Sequence, residues 1–154
     1  MASALPLIVL LCLAVGQLDV SAAAACRPPG WTRIGSRLFI VQRRGLTMAD
    51  AEFNCIRLGG NLASIQSYGE HLAIRRLIRR VFRTDTRAWI GLFDAVQERK
   101  WMWTDGSKVR FTRWARNEPN NQGGTEHCTH INNGDYWNDR PCNIRYASVC
   151  SRGR

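Results

Sequence analysis

Residues 117–128 read NEPNNQGGTEHC. These twelve positions hold two carboxylates, four side-chain amides, two adjacent glycines and one proline, in a chain otherwise crowded with arginine. Oxygen-rich side chains gathered on a glycine-bearing turn are the ligand chemistry of a hard divalent cation. A plain polar surface loop has the same composition, so the sequence on either side has to decide between the two.

N-terminal to this stretch lie two helices with their punctuation. In LTMADAEFNCIRLGG (residues 46–60) Thr47 can cap a helix and Asp50 stands three positions on, an acidic variant of the capping box. Ala51, Cys55 and Leu58 fall on one stripe, and Gly59-Gly60 stops it. In SYGEHLAIRRLIRRVF (residues 67–82) Ser67 and Glu70 form the capping box itself, and Ile74, Leu77, Ile78 and Val81 supply an apolar face. After Phe82 the texture changes. RAWIGLF, KWMWT, KVRFTRW and the later RYASVC are short and rich in aromatic or β-branched residues, which suits strands broken by turns. Trp101 and Trp103 alternate about Met102 and should share one face of a strand. Helices followed by a strand- and loop-rich half predict an α+β fold.

The 154 residues suit one domain. Residues 1–25 contain LPLIVLLCLAVG and then SAAAA, the apolar run and small-residue tract of a cleaved secretory signal, leaving residues 26–154 as the folded domain. No later segment is apolar enough to span a bilayer, so a secreted, extracellular protein is expected. Cleavage would remove Asp19 and take the net charge from +10 to +11. Such a charge favours anionic partners, microbial envelopes or sulfated polysaccharides. No nucleic-acid motif accompanies it. Cleavage would also leave Cys26, Cys55, Cys128, Cys142 and Cys150, an odd count that predicts two internal bridges and one remaining thiol.

AEFNC, GGNLASI, WIGLFD, WMWTDGS, EPNN, EHC and YWND together resemble the C-type lectin domain, in order and spacing, over nearly all of residues 26–154. The size and layout look most like the secreted lectins of fish mucus and venom. The resemblance implies a lectin fold of two helices, small antiparallel sheets and a long calcium-binding loop region. It implies disulfides Cys55–Cys150 and Cys128–Cys142, leaving Cys26 unpaired. It also implies that Glu118, Asn120, Glu126, Asn138 and Asp139 hold Ca²⁺ and bind sugar, with a cis Glu118–Pro119 bond. The EPN order is similar to the mannose-type version, so mannose, fucose, glucose and N-acetylglucosamine are expected over galactose. A second calcium site would draw on Asp94, Glu98, Asn121 and Glu126, with His127 where its remaining acid usually stands.

His127 and His130, three apart in an extended segment, should point to opposite faces, so they do not predict zinc. His71, on an arginine-rich helix, is expected to be exposed. No nucleophile–base arrangement or paired carboxylates suggest an enzyme. Arg75, Arg76, Arg79, Arg80 and Arg83 form one positive stripe, either a solvated face or a polyanion surface. Leu38 stands in GSRLF where relatives usually carry the partner of the first cysteine, which leaves Cys26 either for a covalent homodimer or as a capped or unpaired thiol. The expected function is calcium-dependent recognition and agglutination of microbial surfaces in innate defence. The alternatives are a calcium-independent cationic antimicrobial or cell-wall-binding protein, a type II antifreeze protein, and a venom-like protein-binding module.

Overall fold

The computed structural model describes residues 30–153. The signal segment 1–25 lies outside them, as does Cys26 with the dimer expectation attached to it. Every element named below belongs to the unit Thr32–Arg154. In chain order these are β1 (Thr32–Ile34), β2 (Arg37–Leu46), α1 (Met48–Arg57), β3 (Asn61–Leu62) and α2 (Tyr68–Phe82). Then follow β4 (Ala88–Phe93), β5 (Met102–Trp103), a 3-10 turn (Gln122–Gly124), β6 (Glu126–Asn133), β7 (Tyr136–Pro141) and β8 (Tyr146–Arg152).

Both helices begin where local chemistry directs them. Thr47 Oγ1 accepts from Asp50 N at 3.2 Å and donates to Asp50 Oδ2 at 2.9 Å. Ser67 Oγ accepts from Glu70 N at 3.2 Å, while Glu70 Oε2 reaches one residue further back, to Gln66 N at 2.8 Å. Helix α1 ends at Leu58 and the chain turns at Gly59, whose φ is +81°. At Gly60 a Cβ would lie 2.2 Å from the Ser151 carbonyl oxygen, so only glycine lets the end of α1 lie against β8. Ile74, Leu77 and Ile78 of α2 are buried, each worth about 1.5–3 kcal/mol relative to exposure.

The strands form one connected ladder in the order β1-β2-β8-β4-β6-β7, with β3 on β8 and β5 on β4. All pairs are antiparallel except β4–β8, where Ala88 lies opposite Ala147 and Trp89 opposite Ser148. Strand β4 is covered on both faces, and its unbroken apolar run AWIGLF is the composition that follows. Trp103 packs edge-on against Trp137 at 6.0 Å, and Trp101 meets Trp114 at 4.7 Å on the same core. The disulfides are Cys55–Cys150 and Cys128–Cys142, with Cα separations of 5.3 and 5.1 Å. Among the described residues no helix is long and apolar enough to cross a membrane.

Two expectations fail. KVRFTRW is not a strand: only Trp114 bridges, to Trp137. Its aromatic side chains anchor a loop instead, with Phe111 and Trp114 set edge-on to Trp137 at 5.6 and 6.1 Å. His71 is fully buried rather than exposed. Its Nδ1 accepts from Trp137 Nε1 at 3.1 Å, and its Nε2 lies 3.1 Å from the Asp135 carbonyl oxygen. Indole N–H can only donate, so this network needs neutral His71 with its proton on Nε2. Burial accordingly holds the His71 pKa below the ordinary histidine value, against the pull of Asp135.

Candidate functional site

The loop carrying EPNN is pinned to β7 before it turns. Trp137 N donates to Arg113 O at 2.7 Å and Ala115 N to Trp137 O at 2.9 Å. Asn117 takes a left-handed φ of +66°, and the Glu118–Pro119 bond is cis. Asp139, fully buried on β7, then receives the loop backbone: Asn120 N at 3.3 Å on Oδ1 and Asn121 N at 2.8 Å on Oδ2. The 3-10 turn follows, with Gly123 and Gly124 both at φ +71°, a conformation that suits glycine. It delivers the chain to Glu126 at the start of β6. Glu126 is 3 % exposed, and its Oε2 accepts Gln122 N at 3.1 Å.

Glu118, half-buried, therefore lies close enough to the buried Asp139 to share a hydrogen bond and within the field of the buried Glu126. Burial first, then the charges of Asp139 and Glu126 and a shared hydrogen bond with Asp139, push the Glu118 carboxyl up to about 7. Glu118 Oε2, and Asn138 Oδ1 on the β7 position before Asp139, are buried without a hydrogen-bond partner among the described residues. A buried acceptor left unmade costs on the order of 1–3 kcal/mol. A hard divalent cation relieves both the charge crowding and the orphaned oxygens, so Glu118, Asn120, Glu126, Asn138 and Asp139 fit Ca²⁺.

Arg140 belongs to this neighbourhood and sequence reading missed it. Its Nη1 lies 3.3 Å from Glu126 Oε1, so an internal cation already neutralises part of that carboxylate. The only signal for it lies in the β6–β7 register, which sets Cys128 opposite Arg140.

The second group of expected ligands divides. Asp94 and Glu98 come together with His127, while Asn121 bridges: its Nδ2 donates to Glu98 Oε2 and its Oδ1 accepts Glu126 N at 2.9 Å. His130 faces elsewhere, buried between Trp89 and Tyr146 with Nδ1 3.1 Å from the Ile131 oxygen. Burial pushes its pKa down to about 4. The arginine stripe divides too. Arg75 turns inward to Asn132 and Asp135, and Arg79 Nε donates to Asp85 at 3.1 Å. Arg76, Arg80 and Arg83 stay exposed, with no ion-pair partner among the described residues.

Residues 44–152 match the Lectin C-type domain family. The chain is similar to the galactose-specific lectin nattectin of Thalassophryne nattereri, 38 % identical over 91 % of this chain and 89 % of that protein. A C-type lectin mannose-binding isoform of Oxyuranus scutellatus is 32 % identical over 94 % and 95 %. Among solved structures, a calcium-independent type II antifreeze protein superposes with a TM-score of 0.75 at 32 % identity, covering 82 % of this chain and 94 % of that one. The chain belongs to the C-type lectin domain family.

Proposed function

We propose that this protein is a secreted, calcium-dependent lectin for mannose-type sugars, acting on microbial surfaces, with residues 26–154 as its mature domain. The observation that carries the reading is the pair of buried, unpartnered oxygens, Glu118 Oε2 beside the carboxylates of Asp139 and Glu126, and Asn138 Oδ1 next to Asp139 in β7. When bound, Ca²⁺ would offer coordination positions to two neighbouring sugar hydroxyls. Glu118 and Glu126 accept hydrogen bonds from those hydroxyls, and the amides of Asn120 and Asn138 donate to them. Aldohexoses differ in the arrangement of the 3- and 4-hydroxyls, so the order of acceptor and donor in Glu118-Pro119-Asn120 selects between them. That order supports mannose, fucose, glucose and N-acetylglucosamine.

The test is retention on immobilised mannose and galactose, in calcium and then in EDTA. Retention on mannose released by EDTA is the expected result. Retention on galactose alone would overturn the sugar assignment, which the 38 %-identical galactose-specific relative makes a necessary arm. Retention on neither column would leave the scaffold to a role other than binding these sugars, antifreeze activity or protein binding, the first of which one similar structure carries in its name.

A second surface is favoured by Arg76 and Arg80 of α2 and Arg83 at its C-cap, exposed and without an ion-pair partner among the described residues. Arg76, Arg80 and Arg83 are expected to hold sulfated or phosphorylated polysaccharide without calcium and to release it as salt rises. Replacing all three with glutamine should abolish heparin retention in EDTA at low salt. Unchanged retention would remove this surface from the function.

A further inference from the structure

We propose that Asp94, Glu98 and His127 form a second metal site that takes a borderline divalent cation, zinc above all, rather than calcium. His127 Nδ1 lies 3.0 Å from Asp94 Oδ1 and 3.7 Å from Glu98 Oε2, and one ligand atom from each of the three falls within 4.8 Å of the others. Zinc–ligand distances of about 2.0–2.2 Å place tetrahedral ligands about 3.4 Å apart, between the two distances to His127. Calcium takes six to eight oxygens and gains little from imidazole, whereas imidazole suits zinc. The histidine that removes an oxygen from a calcium set supplies nitrogen to a zinc set.

The ligands are held by their surroundings. Asp94 N donates to His127 O at 3.1 Å, tying the two backbones together where β4 leaves β6. Asp94 is 1 % exposed, and its Oδ2 accepts Arg99 N at 2.7 Å, which aims Oδ1 at the imidazole. Glu98 is steadied by Asn121 Nδ2. Such outer-shell contacts orient metal ligands. The Arg99 side chain approaches only the other Glu98 oxygen, at 3.9 Å, and is 86 % exposed. His127 is 29 % exposed on its side chain, which leaves water or a partner's ligand access to the fourth position. The Nδ1 that faces Asp94 Oδ1 at 3.0 Å is the ligand atom offered to the ion.

This is the feature the HCTH spacing conceals. His127 and His130 diverge as an extended segment requires, but His127 converges instead with two acids from the loop after β4. The chain has three histidines, and His71 and His130 are both buried and engaged. His127 is the imidazole an ion can reach.

The experiment is calorimetric titration of Zn²⁺ into the full secreted chain, with cysteine thiols alkylated and excess calcium present to occupy the sugar site. One Zn²⁺ per chain is expected, weakened about 100-fold or more by His127→Gln, beyond the 10–100-fold that outer-shell changes cost. His127→Asp should lose zinc and gain a second calcium. Because Asp94 is buried and Asp94→Asn can impair folding, Co²⁺ substitution of the unmutated protein gives a second readout, visible bands of a tetrahedral site with bound imidazole. Absent zinc uptake, or uptake undiminished in His127→Gln, overturns the site. Either result is independent of mannose retention, which reads the other cluster.

Discussion

Replacing His130 with phenylalanine should remove much of the acid sensitivity of this fold. Burial puts the His130 pKa at about 4 in the folded chain, against 6.5 for the unfolded reference. A histidine depressed in this way contributes stability that is full above pH 6.5 and is lost as pH falls toward 4, because the unfolded chain binds the proton first. At 1.36 kcal/mol per pKa unit, acidification from pH 7.5 to 4.5 withdraws about 2–3 kcal/mol through this one ring. That is a large share of the roughly 5–15 kcal/mol of a typical domain. Phenylalanine keeps an aromatic edge against Trp89 and Tyr146, at 6.5 and 5.2 Å in the parent. It loses the bond to the Ile131 oxygen equally at both pH values. Urea unfolding of both proteins at the two pH values, in EDTA, isolates the difference. His71 and Glu118 titrate in both proteins and cancel. The variant should lose about 2–3 kcal/mol less than the parent on acidification. Equal losses, or an NMR titration of His130 centred near 6.5, would refute the argument.

Glu118 works with the opposite sign. Its folded pKa is raised to about 7, so its contribution is full below the unfolded carboxyl value and disappears as pH rises through 7. Glu118→Gln should therefore melt higher than the parent in EDTA at pH 8 and lower in calcium, a crossing readable in one set of thermal scans; parallel shifts would argue against metal at this carboxylate. Replacing Cys128 and Cys142 with serine opens a bridge across a sequence separation of 14 residues, worth about 3 kcal/mol in the chain-entropy model. Sugar retention should weaken even where urea titration shows the domain still folded, and full retention would mean the bridge does not order the loop. Gly60→Ala drives a methyl group against the Ser151 carbonyl and should cost about 1–3 kcal/mol in urea; a neutral result would mean the end of α1 can retreat from β8.

The helices are legible in the sequence because their signals are local. Thr47 and Ser67 each act on a backbone N–H three residues away, and the apolar stripes of α1 and α2 need only the helical period. The five proposed sugar-site ligands and both disulfide pairings are legible through motif order. Their convergence is not, since Glu118 and Asp139 come from a loop and a strand joined only by the folded sheet. The same limit hides His71 under Trp137, Arg140 beside Glu126 and His127 beside Asp94. His71 and His127 depend on elements well separated in sequence, Arg140 on the register within one hairpin, and no periodicity encodes either. KVRFTRW misleads for a related reason: aromatic density marks burial, and a loop pinned by Phe111 and Trp114 buries rings as a strand does.

Strand β8 is the last element in chain order, yet it lies between β2 and β4 and also carries β3. During synthesis the hairpins β1–β2 and β6–β7 can close from neighbouring sequence, but β3 has no partner until residues 146–152 emerge, and β4 and β2 face an open gap between them. Cys55 likewise waits 95 residues for Cys150. Assembly is therefore governed by its latest arrival, and most of the apolar surface of β4 must be kept from other chains until then. Yield in a secreting host should depend more on chaperone and oxidase capacity at that closing moment than on the thermodynamic stability of the finished domain.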